Sequence, residues 1–304
     1  MRRAVLFVLP LCLACGGDDS KADASSDATL DSVEEIDAPA DVAIDVPPEP
    51  AIWVASATTL YKLDPEKRIL SRVADFDCSG EEMLDLAMNA QEELFGITTE
   101  SVVRIDKTTG ACTPLARGSQ DLPNATAFVP SASLDGGAER WLGYQLATYD
   151  AIDPDSGTLT FVGAALDDGG NTYQASGDMV SLAGGKTYLT TLAYNPSVGD
   201  TLVEIDPATG AVTRFVGSTG VAPLLGLAQW RGTLYAFSDH SRIFTVGIDD
   251  AGVTLKILAV SYDFGDAGAA DGGADLDAGD ADAPSGPSFI SFRGAAVTTR
   301  APVQ

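Results

Sequence analysis

Basic residues are scarce in this chain, histidine is almost absent, and no apolar run is long. There are 18 lysines and arginines against 44 aspartates and glutamates, a net charge of −26, and one histidine. So acidic a chain cannot bind nucleic acid by neutralising phosphates, which needs clustered Lys and Arg. Charge does not draw it to anionic lipid either. A single histidine excludes multi-histidine metal sites and leaves one candidate for imidazole catalysis. Aromatic residues make up only 7%, with three tryptophans (Trp53, Trp141, Trp230), a thin supply of sugar-stacking platforms. The chain also lacks a Gly-x-Ser-x-Gly elbow, a phosphate-cradling glycine loop and a His-Glu-x-x-His pair. No metal and no cofactor is expected. What it does have is 304 residues, 45% of them hydrophobic, enough for a sizeable core in one or two domains, since a single all-β domain can exceed about 200 residues.

The N-terminus reads as an address. Met1, Arg2 and Arg3 precede an apolar run from Ala4 to Ala14, and then comes Cys15. Two positive charges before a short apolar stretch and a small residue form a secretory signal peptide over 1–14. A helix that short cannot span a bilayer, which takes about 20 residues. The sequence Leu13-Ala14-Cys15-Gly16-Gly17 resembles the lipobox of bacterial lipoproteins, with Cys12 where leucine is usual. The resemblance implies that Cys15 is lipidated, with acyl chains such as palmitate, and becomes the first residue of the mature chain. Gly16 rather than aspartate follows it, which by the same resemblance implies an outer-membrane location. The membrane is then a partner through lipid alone, at about 0.8 kcal/mol per buried CH₂.

Two tracts carry most of the charge. Residues 15–50 form a linker of Asp, Ala, Ser, Pro and Val, with eleven acidic residues and Lys21. Residues 263–282 hold seven aspartates among Ala and Gly and no basic residue, and the tract runs on to about 287. Neither can bury enough apolar surface to offset its ordering entropy, so both are expected to be disordered. The aspartates of the second tract (Asp271, Asp275, Asp277, Asp280, Asp282) fit neither the EF-hand loop nor a nonapeptide calcium repeat. The rest of the chain is moderately acidic.

Between residue 51 and the C-terminus a unit repeats. An apolar strand ends in Asp64, Asp106, Asp153, Asp206 or Asp249, a turn follows, and a second strand begins. These aspartates lie 42, 47, 53 and 43 residues apart. A period in the forties with several short strands per unit predicts a β-propeller. Aspartate accepts a bond from backbone two residues on, proline fixes φ next, and glycine supplies positive φ before the return. The marker aspartates are therefore turn formers and not catalytic. The count is five four-stranded blades, with six as the alternative. The first unit lacks an innermost strand, and the spare strand Phe292–Thr299 is expected to supply it and close the ring.

Cys78 and Cys112 remain once Cys15 is lipidated. Two thiols in an oxidising compartment pair as a rule. The sequence around them is also similar to repeats of secreted bacterial propeller-like proteins, whose cysteines come in pairs. Strand order argues the other way. Cys78 follows an outermost strand and Cys112 follows a hairpin turn, on opposite faces of the disc, whereas a disulfide needs Cα atoms within about 7 Å. The pairing stays open at this stage.

The search for chemistry yields few candidates. His240 lies in Ser238-Asp239-His240-Ser241, a strand-to-strand turn, and reads as an exposed loop residue. Asp85 and Asp178 occupy equivalent places on predicted innermost strands, facing the central channel. They could hold a cation or a small polar ligand there, or bond the backbone of a neighbouring blade. The leading expectation is a noncatalytic, lipid-anchored propeller that binds an unknown protein or glycan of the envelope as a monomer. The alternative is an envelope hydrolase or lyase acting on polysaccharide or peptide with channel carboxylates.

Overall fold

The computed structural model describes residues 48–118, 121–134, 137–163, 166–182, 185–192, 198–264 and 289–303. The segment read as a signal peptide, Cys15, nearly all of the expected linker and most of the second acidic tract lie outside these residues. Among the described residues, no helix is long and apolar enough to cross a membrane.

The domain is an all-β propeller of five blades. The first blade holds β1 (Ile52–Ser56), β2 (Thr59–Asp64) and β3 (Ile69–Asp75). The second holds β4 (Met83–Met88), β5 (Leu94–Thr98), β6 (Ser101–Ile105) and β7 (Cys112–Arg117). The third holds β8 (Ala125–Val129), β9 (Arg140–Gln145), β10 (Thr148–Ile152) and β11 (Leu159–Gly163). The fourth holds β12 (Ala175–Ser181), β13 (Thr187–Thr191), β14 (Thr201–Ile205) and β15 (Val212–Ser218). The fifth holds β16 (Leu224–Trp230), β17 (Thr233–Ser238), β18 (Ile243–Asp249) and β19 (Gly252–Ile257). Two strands follow, β20 (Ser261–Asp263) and β21 (Phe292–Ala296).

The C-terminal strand closes the ring as expected. β21 pairs antiparallel with β1, setting Val54 opposite Ala295, and becomes the innermost strand of the first blade. Closure removes a free sheet edge that would otherwise invite wrong pairing. One strand was not foreseen: β20 adds to β3 in parallel and covers the outer edge of that blade.

Successive side chains point to opposite faces of a strand, and here both faces are buried. Ile52 and Val54 enter the core between the fifth and first blades, while Trp53 and Ala55 enter the core between the first and second. Three further apolar clusters fill the remaining seams. There is thus one core per seam, and the polar–apolar alternation of a half-exposed strand is accordingly weak.

Each marker aspartate caps its turn. Asp106 Oδ1 accepts the Thr108 N–H at 2.8 Å and the Thr109 N–H at 3.1 Å. Asp153 does the same for Asp155 and Ser156. Hydrogen bonds from Thr108 pull the Asp106 carboxyl down to about 2. The turns have a second role that spacing alone does not show: each seats on the preceding blade. A β-carbon on Gly110 (φ +72°) would lie 2.3 Å from the Asp75 carbonyl, so glycine serves both the turn and the close approach. Tyr149 donates its hydroxyl to the Pro207 carbonyl at 3.0 Å, joining the third blade to the turn of the fourth. Trp230 Nε1 donates to Glu66 at 3.3 Å, joining the fifth blade to the turn of the first.

This seating explains the disulfide. Cys78 and Cys112 are bonded, with Cα atoms 4.9 Å apart. The placement of the two cysteines on opposite faces fails because the turn before Cys112 packs on the end of β3. Asp77 bridges Ala111, donating its N–H to the Gly110 carbonyl at 3.0 Å and accepting the Cys112 N–H at 3.1 Å. The bond spans 34 residues. In the chain-entropy account that is worth about 4 kcal/mol, and it staples the first two blades.

Candidate functional site

Asp85 and Asp178 lie on the innermost strands β4 and β12, as the repeat predicts, and both are fully buried. The strand pairing slips beside each of them, a β-bulge that re-aims the local backbone. Their carboxylates gather backbone N–H groups. Asp85 Oδ1 accepts from Leu86 at 2.8 Å, and its Oδ2 accepts the N–H of Thr126 at 2.5 Å and its hydroxyl at 3.0 Å. Asp178 Oδ1 accepts from Met179 at 2.6 Å, and its Oδ2 accepts from Leu227 at 2.6 Å and Ala295 at 3.2 Å. The five donors Leu86, Thr126, Met179, Leu227 and Ala295 come one from each blade. Two carboxylates thus tie all five innermost strands at the axis.

Burial away from water pushes both carboxyls well above the ordinary carboxylate range, and the neighbouring Asp85 pushes Asp178 further. The hydrogen bonds pull down without cancelling this. Beside the pair, the tube between Ala87, Ala127, Val180, Leu227 and Ala296 has a volume of about 20 Å³. That is room for about one water. Glycosidase carboxylates must flank a bond of the substrate in an open cleft, and this pair has no exposed surface to do so.

The strand order makes the two faces of the disc unequal. Innermost strands begin, and outermost strands end, on one face. On this face Tyr173 and Gln174 lead into β12 and Leu192 follows β13. Binding residues concentrate in the connections held by a rigid scaffold. On this face, beside the fourth blade, is a groove of about 800 Å³. Tyr173, Gln174, Leu192, Thr201 and Phe215 line it. Phe215 is 52% and Leu192 49% exposed. Asp168 at its edge braces the loop, accepting from the Asn171 N–H at 2.8 Å, the Gly170 N–H at 3.0 Å and the Tyr173 hydroxyl at 2.8 Å. Bonds from Asn171 hold its carboxyl far below the usual range.

His240 sits in the β17–β18 turn, 62% exposed and beside Asp239. The nearby Ser238 hydroxyl accepts the His240 backbone N–H, and the Ser241 hydroxyl bonds Ile290, so no serine is set against the imidazole. Among the described residues, no group of three or more His, Cys, Asp or Glu side chains could hold a metal ion.

No family model matches the chain. No curated protein matches it either. Among solved structures, a chain of a nidogen–laminin complex aligns with a TM-score of 0.45 at 12% identity, over 81% of this chain and 97% of that one. A symmetrical protein from a study of de novo emergence aligns at 0.44 and 14% identity, over 71% and 94%. YCF48 bound to a D1 peptide aligns at 0.38 and 11% identity, over 62% and 58%. Likeness this weak carries no statement of function, and the propeller assignment rests on the strand pairing itself.

The axial aspartates were visible in the sequence as repeat-equivalent positions. The groove was not. Phe215 lies on an ordinary outer strand, and nothing nearby in sequence announces Tyr173 or Leu192 as its neighbours.

Proposed function

We propose that this chain is a noncatalytic binding module, lipid-anchored through Cys15 at a bacterial outer membrane. In this reading the loop face of the propeller meets a protein or an uncharged glycan of the envelope. The observation that carries the reading is the open groove beside the fourth blade, where Phe215 and Leu192 stand exposed next to the amide of Gln174. Apolar walls with a few polar groups suit a ligand-sized cleft of roughly 300–1,000 Å³. The acidic balance of the chain disfavours anionic ligands.

The test uses the full chain against immobilised peptidoglycan, neutral envelope polysaccharides and detergent-solubilised envelope proteins. The pair of substitutions Phe215→Ser and Leu192→Ser should weaken retention on the bound fraction at least tenfold, about 1.4 kcal/mol, while leaving Tm within a few degrees. Unchanged retention by the doubly substituted protein would remove the groove from the reading.

Anchoring is supported by Arg2, Arg3, the apolar run and Leu13-Ala14-Cys15. In cells, the native chain should partition into the detergent phase and Cys15→Ala into the aqueous phase. Detergent partitioning by Cys15→Ala would refute the anchor.

A further inference from the structure

We propose that Asp85 and Asp178 share one retained proton at the axis of the propeller, and that this proton makes the junction of the five innermost strands a pH-sensitive clasp. A carboxylate offers about four acceptor positions. Asp85 fills three, with the N–H of Leu86 and the N–H and hydroxyl of Thr126. Asp178 fills three, with the N–H groups of Met179, Leu227 and Ala295. In both cases Oδ2 is full and Oδ1 has one position left.

The two carboxylates also meet successive residues of one strand. A β-carbon on Gly294 would lie 2.4 Å from Asp85 Oδ1, and Asp178 Oδ2 is bonded to the next residue, Ala295. Two bare anions set against adjacent residues of one strand, away from water, repel strongly. One retained proton on the pair removes a charge, and each Oδ1 has a position free to hold it.

No neighbouring group offers a cheaper remedy. Arg293 is the only cation on the five innermost strands, and among the described residues it makes no hydrogen bond or ion pair to either carboxylate. The strands next to them carry Arg140, Tyr144, Tyr188 and Tyr235. Tyr144 commits its hydroxyl to the Gly210 carbonyl. Asp200, near the start of β14, is itself acidic and takes the Leu224 N–H and the Ser176 hydroxyl.

The sign follows from linkage. A carboxyl that keeps its proton when folded binds more protons than the unfolded chain. Its contribution is full at low pH and is lost as pH rises through the folded value. Loss of the proton leaves two anions where all five blades meet, so the ring should loosen first at its axis.

The experiment follows the Cγ shifts of Asp85 and Asp178 in the ¹³C-labelled full chain from about pH 4 to about pH 9. Urea unfolding is measured over the same range for the native chain and the double variant Asp85→Asn/Asp178→Asn. In the native chain the two Cγ signals should titrate together, well above the usual aspartate range. Over that range the native folding constant should fall by up to tenfold per pH unit relative to the double variant, as one retained proton requires. Asp150 and Asp200, whose carboxyls are also pushed up by burial, are present in both proteins and drop out of the comparison. Parallel pH profiles in the two proteins would overturn the shared proton, and so would a fall of up to a hundredfold per unit, since each carboxyl would then keep its own. Two fully ionised Cγ signals at pH 6 would overturn it as well, and that measurement stands alone if the variant does not fold.

Discussion

Removing residues 289–304 should abolish cooperative folding, not merely weaken it. β21 supplies the innermost strand of the first blade and pairs with β1 from Trp53 to Ser56. It carries Phe292 and Ala295 into the core between the fifth and first blades and Ala296 into the core between the first and second. It also gives the Ala295 N–H to Asp178. Losing a buried phenylalanine alone costs about 3–5 kcal/mol. Opening two seams and exposing the edge of β1 adds to that, against a typical total of about 5–15 kcal/mol. The truncated chain should show no sharp near-UV circular dichroism and no single melting transition. A cooperative melt within about 10 °C of the full chain would show that the ring is stable without its closing strand.

That strand was legible in advance because its small residues match the other innermost strands: Gly294-Ala295-Ala296 against Gly226-Leu227-Ala228. The five units were legible because Asp, Pro and Gly have fixed conformational tasks in a turn, whatever surrounds them. Seating of those turns on the preceding blade was not legible, since it depends on how far each sheet twists from axis to rim. The strand-order objection to pairing Cys78 with Cys112 failed for the same reason: strand order gives the face at the axis, but not the place an outer turn reaches. β20 escaped notice because its three residues pair in parallel with a strand nearly 200 positions earlier. The sequence placed Asp85 and Asp178 at the axis but could not count their donors, which come from backbone and leave no residue-type signal.

Asp178→Ala should then be the most damaging single substitution among the axial residues. It orphans the N–H groups of Met179, Leu227 and Ala295, which belong to three different blades. Each buried, unsatisfied donor costs about 1–3 kcal/mol. A water entering the vacated space recovers part of this, which puts the expected loss at about 3–6 kcal/mol. For a domain of this size that lowers Tm by roughly 10 °C or more. Asp85→Ala should cost less, because it orphans two N–H groups and a Thr126 hydroxyl that can rotate to a new partner. The two losses should not add. If the carboxylates act on each other, the double substitution removes their interaction once, and a thermodynamic cycle should return a coupling of about 1 kcal/mol or more. Additive losses would mean that each aspartate ties its own strands independently. The axis would then be two separate staples rather than one knot.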